Sequence, residues 1–230
     1  LQIPYFWDEL GVYVPGMREI ADKHTIGIFP ADLNPLYSRG HPMLFYFVGG
    51  NVFKLFGDHI MVGHVLAITI AVCTLLLFFR TLSRMFNPWS ALAASFLLAV
   101  QPVFFAMSGI LLPEMLLTFF GILAFSGIYF KQWGLFALGG TLALMTKESG
   151  IIWSALAAVV LLTDSLLLRD FFTLKRWSLF LKGALPLIVY GAFLLVQKYQ
   201  HGWYFFPEHL GLMSFQLQSI GSASLNVLSL

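Results

Sequence analysis

The feature that most constrains the fold of this chain is the series of apolar runs that fill its middle. Six runs reach or approach the length of a membrane-spanning helix, at residues 60–79, 89–112, 115–130, 134–145, 151–168 and 183–196. Across the chain 59% of residues are hydrophobic and 10% are charged, whereas about 25% are charged in a typical soluble domain. Because a helix needs about 20 apolar residues to cross a bilayer, the pattern predicts an all-α integral membrane protein with about six membrane helices in a bundle. The shortest runs are expected to line a cavity or to meet a thinned part of the bilayer.

The charged residues between these runs predict the side of the membrane on which each connection lies. The connections at 80–88, 131 and 169–182 carry seven of the thirteen Lys and Arg residues, so the positive-inside rule places them in the cytoplasm. Nine of the eleven Asp and Glu residues then fall on the opposite side. Since carboxylates at a bilayer edge cost free energy unless something uses them, we expect a polar reaction site that faces outward. The basic residues form no stripe with aromatic residues, which argues against nucleic acid as a partner. Membrane lipids are the expected surroundings of the chain.

The same parity argument decides the segment at 41–57, which is apolar enough to suggest a seventh span. A crossing there would place the region around Asp8 in the cytoplasm, so we interpret the segment as an amphipathic helix in the outer interface. A second short helix is expected near residues 16–24. The apolar side chains expected to enter the acyl boundary are Leu44, Phe45, Val48, Val52, Phe53 and Leu55. The polar side chains expected at headgroup level are His41, Tyr46, Asn51 and Lys54.

The predicted organisation has three parts. Residues 1–59 form an external loop with interfacial helices, and residues 60–196 form the transmembrane helical bundle. Residues 197–230 form a second external loop and the start of a truncated C-terminal part. Because the chain begins at Leu1 without a methionine, and its first polar motif follows within a few residues, we expect a missing preceding segment that contains the first membrane helix.

Four charged residues on the outward side are candidates for chemistry. Asp8 and Glu9 follow an aromatic cluster of the kind that anchors at a membrane interface, although carboxylates also occur at ordinary helix starts. Glu114 is surrounded by apolar residues, so it must be solvated, paired or bound to a cation, or else it caps the helix that follows the turn at Pro113. Lys147 lies at the outward end of a short helix. It can neutralise a phosphate, pair with Glu148 or contact a lipid headgroup.

The run at residues 201–209 mixes aromatic side chains with two imidazoles and a carboxylate. Metal binding or substrate contact through Glu208 and His209 is one interpretation, and an aromatic belt at the membrane interface is the other. The glycine pairs at 49–50 and 139–140 lack the spacing of a phosphate-binding loop, so helix packing explains them better.

Taken in order, these positions resemble a known family of membrane enzymes. The set is similar to the GT-C superfamily of polyprenyl-phosphate-sugar-dependent glycosyltransferases, and specifically to its protein O-mannosyltransferase and aminoarabinose transferase group. The stretches that carry the resemblance are Asp8-Glu9, Gly40-His41-Pro42, Leu112-Pro113-Glu114-Met115 with Thr118-Phe119-Phe120, Met145-Thr146-Lys147, and Tyr204-Phe205-Phe206 with Glu208-His209. Two departures are His41, where the aminoarabinose enzymes carry lysine, and Glu114, where many relatives have aspartate.

The resemblance implies a role for each matching residue. Asp8 is implied to be the catalytic carboxylate, Lys147 a ligand of the lipid phosphate, and Glu114 an acidic residue near the donor phosphate or a metal. The further residues implied to bind substrate are Glu9, Arg39, His41 and His209. A divalent cation (Mg, Mn or Zn) would be held by Glu114 and His209.

The implied function is transfer of a sugar from a polyprenyl-phosphate-linked donor to a hydroxyl of a protein or lipid acceptor, with inversion. A single carboxylate such as Asp8 suffices as the base that takes the acceptor proton. The expected location is a bacterial or archaeal plasma membrane with the active site facing outward. Two alternatives remain: a transporter or channel subunit with Glu114 and Lys147 as a relay, and a noncatalytic family member. Convergence of Asp8, Glu114 and Lys147 on one outward cavity favours the enzyme, and their dispersal favours the alternatives.

Overall fold

A computed structural model describes residues 4–168 and 173–208, and within them every regular element is helical. The α-helices of these two ranges are α1 (Val14–Asp22), α2 (Pro35–Ser38), α3 (Leu44–Phe56), α4 (Ile60–Met85), α5 (Pro88–Val100), α6 (Pro102–Ser108), α7 (Pro113–Tyr129), α8 (Trp133–Thr146), α9 (Ile151–Leu168) and α10 (Leu174–His201). A π-helical turn at Glu9–Tyr13 leads into α1, and 3₁₀ turns lie at Pro30–Asp32 and Glu148–Gly150. The all-α membrane fold class is therefore confirmed.

Most residues of the predicted membrane runs lie in helices, but these helices differ in length. Among the described residues three helices are long and apolar enough to cross a membrane, at Ile60–Met85, Glu148–Leu167 and Arg176–His201. The run predicted at 89–112 is instead two helices, α5 and α6, which meet at a 70° bend. Pro102 has no N–H for a continuous helix, and the Gln101 side chain caps the new helix by accepting from the Phe104 N–H at 2.7 Å. In the described part of the chain, three spans, or four with the bent pair, thus have the length and composition of a membrane helix. Helices α7 and α8 are shorter apolar helices.

Helix α10 extends well beyond the run predicted at 183–196. Its first turns carry Lys175, Arg176 and Lys182, which interrupt the apolar pattern there. Thr173 precedes the helix and its hydroxyl accepts from the Arg176 N–H at 3.2 Å, which is the signature of an N-cap. At the other end Gly202 takes a left-handed φ of 82° and ends the helix.

Helices α7 and α8 form a tightly packed hairpin in the centre of the bundle. A Cβ atom added at Gly139 would lie 2.7 Å from the Ala124 backbone nitrogen, and one added at Gly127 would lie 2.3 Å from the Phe136 nitrogen. Only glycine allows two helix backbones to approach so closely, as is common between membrane helices. The prediction that the pair at 139–140 serves helix packing is confirmed.

The segment at residues 4–59, called the first loop below, packs its helices against each other before it meets the bundle. Gly49 and Gly50 of α3 face Met17 and Ile20 of α1, so close that an added Cβ would lie within 3 Å of either side chain. This contact changes the environment predicted for α3. Phe45 and Phe53, expected in the acyl boundary, are 1% and 2% exposed inside the protein core. Tyr46, expected at headgroup level, is equally buried, because α1 covers the apolar face that would otherwise meet lipid.

The ends of the bundle differ in their chemistry. At one end, called the site end below, the first loop meets the start of α4, the α6–α7 connection, the α8–α9 connection and the end of α10. His64 Nδ1 donates to the Gly109 carbonyl oxygen at 2.7 Å there. At the opposite end Lys131 pairs with Asp164 at 3.0 Å, and the Arg84 guanidinium lies 4.5 Å from the centre of the Phe130 ring.

Candidate active site

The clearest polar contact at the site end joins two predicted site residues. Lys147 follows the last turn of α8, and its Nζ lies 2.5 Å from Glu114 Oε1 in the first turn of α7. The two side chains are 32% and 39% exposed, so water reaches the pair. Glu114 Oε2 is buried and accepts no hydrogen bond from the described residues. The pair thus combines a partly exposed cation with a buried carboxylate oxygen that has no donor among the described residues.

A second pair lies directly beside the first. His41 Nδ1 lies 2.9 Å from Glu148 Oε1 and joins the first loop to the turn after α8. The backbone of Lys147 is extended, with φ −158° and ψ 145°. Because successive side chains point to opposite sides of an extended backbone, Lys147 reaches Glu114 while Glu148 reaches His41. The alternative in which Lys147 pairs with Glu148 is not the arrangement of the structure.

Arg39 and Gly40 set the path of the chain into His41. Both take left-handed φ values, 46° and 77°, and together they reverse the chain after α2. Gly40 also has no room for a side chain, because an added Cβ would lie 3.1 Å from Trp203 Cζ3 and 3.4 Å from the Phe206 nitrogen. The aromatic run after α10 therefore supports the turn that presents Arg39 and His41.

Glu9 lies in the protein interior rather than on a ligand-facing surface. It is 2% exposed. Its Oε1 accepts from the Leu111 N–H at 2.6 Å, and its Oε2 accepts from the Phe6 N–H at 3.0 Å. Hydrogen bonds to a charged group are each worth about 1.5–3 kcal/mol. Glu9 thus fastens the start of the first loop to the connection that leads into Glu114, and its neighbour Asp8 is left exposed at the surface.

Tyr13 marks the point on which the charged residues converge. Its ring packs edge-on against Phe45 at 5.4 Å between ring centres. Burial raises the pKa of the Tyr13 phenol, and the negative charges of Glu114, Asp8 and Glu148 raise this pKa further. Because such an effect falls off with distance, all three carboxylates lie near one phenol.

The cation expected from the resemblance receives no support from the donor set in the described part of the chain. No group of three His, Cys, Asp or Glu side chains able to hold a metal ion occurs there. One oxygen of Glu114 is already bound to the Lys147 ammonium, whose charge repels a second cation. His209, the other predicted ligand, lies outside the described residues. The residues that are described do not fit a divalent cation, so no step below uses one.

The structure brings most predicted site residues together. Asp8 and Glu114 surround Tyr13, where Arg39 opposes the carboxylates by lowering the pKa of the phenol. Lys147 and His41 are joined to this cluster through Glu114 and Glu148.

Two residues outside the predicted site, Tyr13 and Glu148, join it. Tyr13 lies about one helical turn after the acidic pair, and Glu148 directly follows Lys147. These short spacings were the available signals in the sequence.

Fold and cluster together define a class: an all-α integral membrane protein with an ion-paired polar site at one end of its helical bundle. The chain belongs to the dolichyl-phosphate-mannose-protein mannosyltransferase family, whose model matches residues 40–196, more than half of the chain. It is accordingly a membrane glycosyltransferase of the mannosyltransferase type, and the resemblance seen in its motifs is confirmed. The matched stretch includes His41, Glu114, Lys147 and Glu148, whereas Asp8 precedes it. Comparison with curated proteins and with solved structures gave no match.

Proposed function

We propose that this glycosyltransferase moves a sugar from a polyprenyl-phosphate-linked donor to a hydroxyl group of a protein or lipid acceptor, with inversion at the anomeric carbon. The observation that carries the proposal is that Asp8 and Glu114 both act on the Tyr13 phenol at one end of the bundle, where Lys147 pairs with Glu114. A transporter relay would place its charged residues near the middle of the membrane, and these residues lie at helix ends.

Asp8 is the proposed general base. Its carboxylate is exposed, unlike that of Glu9, and it lies at the rim of the cluster where an acceptor can approach. Asp8 takes the proton of the acceptor hydroxyl as that oxygen attacks the anomeric carbon. The bond from this carbon to the phosphate oxygen breaks on the opposite face, and polyprenyl phosphate leaves with the bonding electrons. Attack opposite the leaving group inverts the configuration.

The cations of the site have the complementary task of stabilising the phosphate as it leaves. Lys147 is the proposed phosphate ligand, with Arg39 and His41 on the adjoining turn as further positive groups. Glu114 holds the Lys147 ammonium in place through Oε1. Its Oε2 is buried and lacks a donor among the described residues.

We also propose that the site end faces away from the cytoplasm, in a bacterial or archaeal plasma membrane. Support comes from the charges at the opposite end, where Arg80, Arg84 and Lys131 lie at the termini of α4 and α7. An outward site gives access to acceptors that have already crossed the membrane.

The test is sugar transfer in membranes that contain the intact protein. Radiolabelled sugars on polyprenyl phosphate are supplied, and wild type is compared with Asp8→Asn. We expect the substitution to lower the rate at least 100-fold, the low end of what a general base contributes, with membrane insertion unchanged. Asp22→Asn is the matched control, because Asp22 is an exposed aspartate of the same loop. Full activity of Asp8→Asn would remove Asp8 from the mechanism, and absence of transfer from every polyprenyl-phosphate donor by wild type would refute the proposed donor class.

A further inference from the structure

We propose that Glu148 is a positioning residue that holds His41 as the second cation for the phosphate of the lipid-linked donor. The inference rests on the proposed function and deepens it, because it specifies how the site binds the phosphate. It concerns a carboxylate to which neither the motifs nor the family match assigns a role.

The contact itself joins distant parts of the chain. His41 and Glu148 are 107 residues apart in sequence, and their side chains meet at 2.9 Å. The two groups are partly exposed, at 26% and 36%, so they border solvent and are accessible to a ligand. A hydrogen bond from Nδ1 to a carboxylate fixes the orientation of the imidazole ring and directs its Nε2 edge away from Glu148.

The backbone on both sides of the contact is held firmly. On the His41 side, the left-handed residues Arg39 and Gly40 form a turn that packs against Trp203. On the Glu148 side, the Gly150 N–H donates to the Lys147 carbonyl oxygen at 2.9 Å and closes the 3₁₀ turn. A contact between two fixed backbones places a side chain reproducibly, which a binding site requires.

The neighbouring pair shows what the contact places. Lys147–Glu114 and His41–Glu148 each combine a basic side chain with a carboxylate, and they adjoin because Lys147 and Glu148 are consecutive. Glu114 and Glu148 both raise the pKa of the Tyr13 phenol, so the two pairs lie near the same side chain. A phosphate that contacts both basic groups has two partners, while each carboxylate keeps its basic group in place when no ligand is present.

The test separates the charge of His41 from its hydrogen bond. His41→Gln keeps a side-chain donor for Glu148 but removes the charge, and His41→Lys keeps a charge. Two quantities are measured on the intact protein: binding of polyprenyl phosphate alone, and KM and kcat for the sugar-linked donor. Asp164→Asn is the matched control, since it breaks a carboxylate–cation pair at the opposite end of the bundle.

We expect His41→Gln to weaken polyprenyl phosphate binding about tenfold, with KM raised in proportion and kcat changed less than about twofold. His41→Lys should bind within about threefold of wild type. Glu148→Gln should weaken binding severalfold, and the double variant Glu148→Gln, His41→Gln should bind no worse than His41→Gln alone. The Asp164→Asn control should bind as wild type does.

The opposite pattern would overturn the inference. If His41→Gln binds polyprenyl phosphate normally, the contact between His41 and Glu148 serves only to hold the two loops together. If the losses from Glu148→Gln and His41→Gln multiply in the double variant, Glu148 does not act through His41. His41→Lys leaves Glu148 intact, so it tests the need for a cation even if Glu148→Gln fails to fold. A wild-type protein that binds no polyprenyl phosphate would instead refute the proposed function itself.

Discussion

Lys147 and Glu148 are adjacent residues of opposite charge, but they do not pair with each other. Lys147 has an extended backbone between α8 and the following turn. Its side chain therefore reaches Glu114, while the next side chain, Glu148, reaches His41. Each contact joins segments at least 33 residues apart. The local sequence thus contains the charges, but the backbone conformation at one residue decides how they pair.

Exchanging the charges of the first pair separates its structural role from its proposed role in binding. Lys147→Met leaves Glu114 without its cation and is expected to lower stability by up to about 1 kcal/mol, as for other partly exposed pairs. The double exchange Glu114→Lys, Lys147→Glu should recover much of that stability, because an ion pair can form again. Sugar transfer should stay absent in both, since no cation remains at position 147. Thermal unfolding in detergent and the transfer assay measure the two effects, and transfer by the exchanged protein would contradict the assignment of Lys147.

Tyr13 gives the site a signature at alkaline pH. Burial and the surrounding carboxylates raise the pKa of its phenol above the ordinary value of 10.0. A raised folded-state pKa means that its stabilising contribution is complete below about pH 10 and is lost as the pH rises towards the folded-state value.

Stability should therefore fall more steeply above pH 10 in wild type than in Tyr13→Phe. The greatest difference in slope that one proton allows is about 1.4 kcal/mol per pH unit. Denaturation followed between pH 9 and pH 12 checks this, with Tyr199→Phe as a control because Tyr199 is exposed. Identical slopes for Tyr13→Phe and wild type would show that the Tyr13 phenol is not shielded in this way.

At the scale of the element, the α7–α8 hairpin depends on glycines where the backbones touch. Gly139 lies against the backbone of Ala124, whereas Gly134, on the same helix, has no neighbour within 4 Å of an added Cβ. Identical substitutions at the two positions should therefore have opposite effects.

Gly139→Ala is expected to lower stability by about 1–3 kcal/mol, because α7 and α8 must separate. Gly134→Ala should be neutral or should stabilise by up to about 1 kcal/mol, since alanine favours a helix. Thermal unfolding of the purified variants in detergent measures both values. A loss at Gly134 equal to that at Gly139 would show that the close approach of the two backbones at Gly139 does not explain the effect.

For the whole molecule, the proposed orientation follows from which charges collect at each end. It can be tested with single cysteines in a Cys73→Ser background, since Cys73 is the one cysteine of the chain. Asp22→Cys reports on the first loop, and Phe86→Cys reports on the α4–α5 connection at the opposite end. A membrane-impermeant maleimide should label Asp22→Cys in intact cells and Phe86→Cys only after permeabilisation. The reverse pattern would place the proposed site in the cytoplasm.

The sequence by itself determined that the chain is helical, that it lies in a membrane and where most of its helices fall. Hydrophobicity and helix-starting residues are local properties, so α9 begins where its apolar run does. The sequence pattern of a helix predicts its surroundings less well where another helix covers one of its faces. The pattern of α3 predicted lipid contact for Phe45 and Phe53, because no local pattern reveals that α1 covers that face of α3.

Only the tertiary structure decided how the charged residues combine. Asp8 and Glu9 are adjacent, yet only Asp8 is exposed. Glu9 is buried and accepts a hydrogen bond from the N–H of Leu111, 102 residues away. The bend at Pro102 and the turn at Arg39 and Gly40 likewise set which side chains meet at the site end. The physical reason is that a residue type sets which interactions a side chain can make. Which of them form depends on the partners that the packed helices bring within reach.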